Sequence, residues 1–137
     1  MDRQDIIDHL LDHYETPRHH GTLASADVVM PGGHPDCGDV VTIYLKVDAT
    51  GQFIEGLAFE GEGCSVSQAA ASILAEMLQG APLTRVDQLE FAEMIDTLGR
   101  DVVKSRQRCA TLALGTLKAA VAHYRKAQQR EQALADG

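Results

Sequence analysis

Two hydrophobic rhythms meet at residues 59–64, FEGEGC, and their junction limits what the chain can fold into. Before it, Val41, Ile43, Leu45 and Val47 alternate with Thr42, Tyr44 and Lys46, the period-two pattern of a strand with one buried face. The turn signal DATG (48–51) follows, and QFIEGLAFE (52–60) resumes as a second strand, so the two read as a β-hairpin. After the junction, Val66, Ala70, Ile73 and Met77 recur at intervals of four, three and four, which predicts a helix ending near Gly80. The same helical spacing marks Ile6, Ile7, Leu10, Leu11 and Tyr14, stopped by Pro17 and Gly21, and again Ala110, Leu114, Leu117, Val121 and Tyr124. Helix, then strands, then helices predicts an α+β fold, with the helices on one face of an antiparallel sheet.

The segments between are less regular. Residues 26–30 are a short stretch capable of forming a strand, and PGGHPDCGD (31–39) reads as a loop. Residues 82–93 predict one or two short helical turns, and Gly99 breaks the stretch 98–108. The last helix is expected to run to about residue 130, with the polar tail frayed from about 128. At 137 residues the chain predicts one domain spanning 1–137, large enough for a hydrophobic core of its own. Its net charge of −8 argues against a nucleic acid as the main partner. No apolar run approaches the ~20 residues that span a bilayer. The N-terminal MDRQDIIDHL lacks the apolar core of a secretion signal, so no membrane association and a cytoplasmic location are expected.

Three cysteines, Cys37, Cys64 and Cys109, are too few and too widely spaced for a disulfide framework; in a reducing compartment they are free thiols or metal ligands. Cys64 and Cys109 fall at predicted helix starts, where unpaired N–H groups and partial positive charge favour a thiolate, and Arg106 and Arg108 push the same way. Cys37 lies in a glycine-flanked loop, and Asp39, two residues on, points the same way if a strand begins there. Three thiolates and one carboxylate would fill a tetrahedral zinc site or most of an iron–sulfur site. Spacing alone leaves a second reading equally open, in which the three are small buried hydrophobes.

HPDCGD (34–39), FEGEGCSVSQAAAS (59–72) and RCATLALGTLKAAV (108–121) closely resemble the three cysteine motifs of the U-type iron–sulfur cluster assembly proteins, the IscU, SufU and N-terminal NifU group. LLDHYETPRHHG (10–21) resembles that family's first helix and the turn after it, and the likeness extends over about residues 4–125. The resemblance implies a three-stranded antiparallel sheet packed on helices, with the cysteines gathered at one exposed end. It implies that Cys37, Cys64 and Cys109 accept sulfur and bind metal, and that Asp39 is a labile ligand beside them. A cysteine desulfurase would supply the sulfur, a transient 2Fe-2S cluster would be assembled, and acceptor apoproteins would receive it. The chain departs from IscU-type members at Arg108, where they carry histidine, and in VVKSRQRC (102–109), where they carry a proline-rich chaperone-recognition segment. It departs from SufU-type members in lacking their insertion before the third cysteine. A zinc-dependent sulfurtransferase holding Zn2+ through Cys37, Asp39, Cys64 and Cys109 is the alternative function, and a structural zinc domain is a third.

Other polar residues read more plainly. Arg106 and Arg108 could pair with Asp39 or hold a persulfide, with Arg108, next to Cys109, the auxiliary site residue. His34 could stand in for the missing histidine, although a polar loop residue is the simpler reading. His9 and His13 share one helical face, expected to be solvated; His19, His20 and His123 are expected at the surface. The alanines 69–71 predict tight packing of helix on sheet, and Tyr44 is expected under a helix on the strand's other face.

Overall fold

The structure, a computed structural model, describes residues 2–34 and 38–136. In chain order it contains α1 (Arg3–Glu15), β1 (Val28–His34), β2 (Asp39–Val47), β3 (Ile54–Glu62), α2 (Ser65–Leu78), α3 (Leu83–Gln88), α4 (Phe91–Leu98) and α5 (Gln107–Asp136). The α+β expectation holds: the strands form one antiparallel sheet in the order β1-β2-β3. In β2 the alternating residues Val41, Ile43, Leu45 and Val47 are buried, and their neighbours Met30, Leu57 and Phe59 lie on the same face. Helices α2 and α5 cover that face, with Ala69, Ala70 and Ala71 fully packed, as their small side chains allow.

Three local expectations need correction. The stretch 31–34 is strand, not loop; β1 is an edge strand, the place in a sheet where a proline such as Pro31 is tolerated. Gly32 then lets α5 close on the sheet, since a Cβ there would stand 2.0 Å from Thr116 Oγ1. Tyr44 is not under a helix: α2 and α5 occupy the other face, and its hydroxyl donates across the sheet to Glu60 at 2.5 Å. The last helix outruns its apolar stripe and continues to Asp136, carried by strong helix formers such as Ala, Gln, Glu and Arg.

His13 is the remaining correction. It is 1% exposed rather than solvated, because α1 packs on α2 through that face. Ser72 Oγ accepts the Arg18 backbone N–H at 2.8 Å and lies 2.7 Å from His13 Nδ1, to which its own proton is free to go. A proton given to Nδ1 goes with a neutral ring that carries its own proton on Nε2. Burial chiefly, then the charges of Arg18 and His9, holds the His13 pKa below its ordinary 6.5, against the opposing pull of Glu76 and Asp12. A depressed histidine pKa means that the unfolded chain binds the proton first, so stability is full above 6.5 and declines as pH falls below it. The carboxylates Asp12, Asp48 and Asp87 are held below 3.8 and titrate at lower pH. Urea unfolding should therefore show a lower midpoint at about pH 5.5 than at about pH 7.5. His13→Asn, which keeps an acceptor for Ser72 and cannot titrate, should flatten the difference; an equal slope in the variant would assign the effect elsewhere.

Candidate metal centre

The antiparallel sheet and the helix that follows it bring three chain segments to one end of the molecule. Asp39 is the first residue of β2. At the matching end of β3, Glu62 is followed by Gly63, whose φ of +154° turns the chain so that Cys64 becomes the N-cap of α2. Cys109 is in the first turn of α5, as expected from the sequence. One ligand atom from each of Asp39, Cys64 and Cys109 lies within 4.8 Å of the others, on residues separated by as much as 70 positions. They line an open cleft of about 500 Å³ together with Gly63, Ser105 and Arg106. Cys37 lies outside the described residues.

The carboxylate organises the cluster. Asp39 is 2% exposed, so its charge needs donors. Its Oδ1 accepts the Cys64 backbone N–H at 2.7 Å and faces the Ser67 hydroxyl at 3.3 Å. Its Oδ2 accepts the Cys109 thiol at 2.7 Å and stands 4.0 Å from Cys64 Sγ. Burial alone would raise the Asp39 pKa. The bonds from Cys109, Cys64 and Ser67, with the Arg106 charge, outweigh it and hold the group below 3.8.

The two thiols differ. Cys64 is half-buried, and although burial opposes ionisation, the Ser67 backbone N–H, the Cys109 thiol and the Arg106 guanidinium together bring its pKa below 9.0. Cys109 is 5% exposed; burial first, then the hydrogen bond to Asp39 and the proximity of Cys64, push its pKa far up. The expected favouring of a thiolate at both helix starts thus finds its direction at Cys64 and is reversed at Cys109, where burial comes first and the Asp39 carboxylate second. Arg106 pairs with Cys64 and lines the cleft, while Arg108 is exposed on the first turn of α5. His34 ends β1 in register with Asp39, whereas His9 and His13 stack edge-on at 4.7 Å and His20 packs against Phe59. Among the described residues, no histidine joins the Asp39, Cys64 and Cys109 group. The sequence reading missed Ser67, whose only sequence signal is a hydroxyl residue one helical turn after an N-cap cysteine.

Two sulfurs and a carboxylate oxygen converging on one open cleft suit zinc or iron. Residues 6–131 match the family described as the NifU-like N terminal domain. The iron–sulfur cluster assembly scaffold protein IscU of Aquifex aeolicus is 33% identical over 121 residues, which cover 88% of this chain and 76% of that protein. The zinc-dependent sulfurtransferase SufU of Bacillus subtilis is 31% identical over 110 residues, covering 80% of this chain and 69% of that protein. Among solved structures, a proposed iron–sulfur cluster assembly scaffold protein for the SUF system from Fervidobacterium islandicum superposes with a TM-score of 0.70 at 25% identity, over 88% of this chain and 99% of that one. With the fold, the cysteine motifs and the matched span in agreement, the chain belongs to the NifU-like N-terminal domain family.

Proposed function

We propose that the protein is an iron–sulfur cluster assembly scaffold, and that Cys37, Asp39, Cys64 and Cys109 hold its cargo. The observation that carries this reading is the meeting of Asp39, Cys64 and Cys109 within 4.8 Å in an open cleft. A carboxylate is a poor permanent ligand for an iron–sulfur cluster, for which thiolates predominate, so Asp39 suits a site that must release what it builds. Sulfur arrives from a cysteine desulfurase as a persulfide. The scaffold thiolate attacks the outer sulfur, the S–S bond breaks, the desulfurase leaves as its thiolate, and the persulfide stands on the scaffold cysteine. Arg106, beside Cys64, places positive charge where that sulfur would sit. Acceptor apoproteins then take the finished 2Fe-2S cluster. Free thiols suit a reducing, cytoplasmic setting, and among the described residues no helix is long and apolar enough to cross a membrane.

A zinc-dependent sulfurtransferase is the second reading, favoured by the mixed sulfur and oxygen donors that Asp39, Cys64 and Cys109 bring together. In that case Cys37, Asp39, Cys64 and Cys109 would hold Zn2+, and the persulfide exchange is the same. Anaerobic reconstitution with ferrous iron, sulfide and a desulfurase separates the two. The scaffold reading expects a brown, oxygen-sensitive chromophore that moves to an apoprotein. A colourless protein with one tight zinc that accelerates the desulfurase would replace it with the second reading.

A further inference from the structure

The geometry around Asp39 points to Ser67 as a positioning residue that makes Asp39 a one-oxygen ligand and so sets how firmly the site holds a metal. This inference rests on the site reading above and concerns how that site is tuned. Ser67 is 6% exposed and sits in the first turn of α2, three residues after Cys64. Its hydroxyl lies 3.3 Å from Asp39 Oδ1 and 3.0 Å from the Cys64 carbonyl oxygen, and it has a single proton to give. The carbonyl is already served by the Gln68 N–H at 3.2 Å. The carboxylate, buried and charged, is the acceptor with more to lose.

With the Cys64 backbone N–H on the same Oδ1, two donors from the start of α2 grip one oxygen of Asp39 and leave the other, Oδ2, facing both sulfurs. The grip prevents Oδ1 from swinging round to share the metal. It also ties the carboxylate, carried by β2, to the start of α2 beside Cys64. Gly63 completes the seat, because a Cβ there would meet both Asp39 Oδ1, at 2.0 Å, and Ser67 Oγ, at 2.8 Å. Ser67 touches no metal in this arrangement; it also stands 3.9 Å from Cys64 Sγ, and its closer contact, with Asp39 at 3.3 Å, is the one through which it acts, as outer hydrogen-bond partners of metal ligands do.

The test is a titration of the metal-free protein with Co2+, whose visible spectrum reports ligand geometry, together with competition against a chromophoric chelator. Ser67→Ala should bind Co2+ about tenfold more weakly and change the spectrum. Ser67→Thr, which keeps the hydroxyl, should recover most of the loss. In an Asp39→Ala background the further change Ser67→Ala should have no effect, which a merely structural role for Ser67 would not predict. Unfolding of the metal-free forms checks that each variant folds. Wild-type affinity and spectrum in Ser67→Ala, or an equal loss with and without Asp39, would overturn the positioning role and leave the metal site standing. Failure of the wild-type protein itself to bind Co2+ would overturn both.

Discussion

Gly63→Ala should lower metal affinity by about 100-fold, the upper range for groups that orient a ligand, while leaving the fold intact. The new Cβ would stand 2.0 Å from Asp39 Oδ1 and 2.9 Å from its Cγ. No flexible side-chain end absorbs that contact, because Asp39 is buried and held on both oxygens. The carboxylate must leave, and with it the bonds to the Cys64 N–H and the Cys109 thiol. The backbone adds a second cost, since φ of +154° at Gly63 lies where side-chain-bearing residues are strained, at roughly 1–3 kcal/mol. Both costs fall at the end of the sheet. The core residues Leu45, Phe59, Leu74 and Leu114 are untouched, so far-UV circular dichroism should stay as in the parent, while the unfolding midpoint should drop through both the strain and the lost bonds to Asp39. Metal competition measured beside circular dichroism distinguishes the outcomes. A folded variant with parental affinity would mean that Asp39 does not need its seat.

Much of this architecture is legible in the chain because it follows local rules. The alternation 41–47 gives β2 and its buried face, and the four-three-four spacing after Cys64 gives α2. The edge strand was harder to see. Pro31, Gly32 and Gly33 read as punctuation, and only the neighbouring α5, which needs Gly32 bare of a side chain, makes sense of them as strand. His13 illustrates the same limit, for a helical pattern cannot say that α2 will cover a polar position and supply Ser72 to satisfy it. At the site, gaps of 27 and 45 residues between cysteines carry no geometric information, and the motifs around them had to stand in for it. Which arginine faces Cys64 depends on where α5 begins, and Arg106 precedes its first turn while Arg108 lies within it. The bond from Ser67 to Asp39 spans 28 positions and has no local signature.

The contrast between the two described thiols predicts a large difference in reactivity. In metal-free protein treated with iodoacetamide at about pH 8, Cys64 should be alkylated at least ~100-fold faster than Cys109. Access and ionisation act together. Cys64 opens into the cleft with its thiolate favoured by the start of α2 and by Arg106. Cys109 is 5% exposed, and its sulfur stands 2.7 Å from Asp39 Oδ2, a carboxylate that both holds the thiol proton and repels the charge that alkylation requires. Mass spectrometry of the separate cysteine peptides over time gives both rates. Asp39→Ala should bring the Cys109 rate up towards that of Cys64, because it removes the acceptor and the neighbouring charge at once. Equal rates in the parent would mean that the Cys109–Asp39 bond does not control the thiol. If the difference holds, Cys64 is the sulfur of this pair ready to meet an incoming electrophile, while Asp39 keeps Cys109 protonated until something in the cleft competes for it. One buried carboxylate then does two things at the end of the sheet: it offers an oxygen ligand and it silences the deeper thiol.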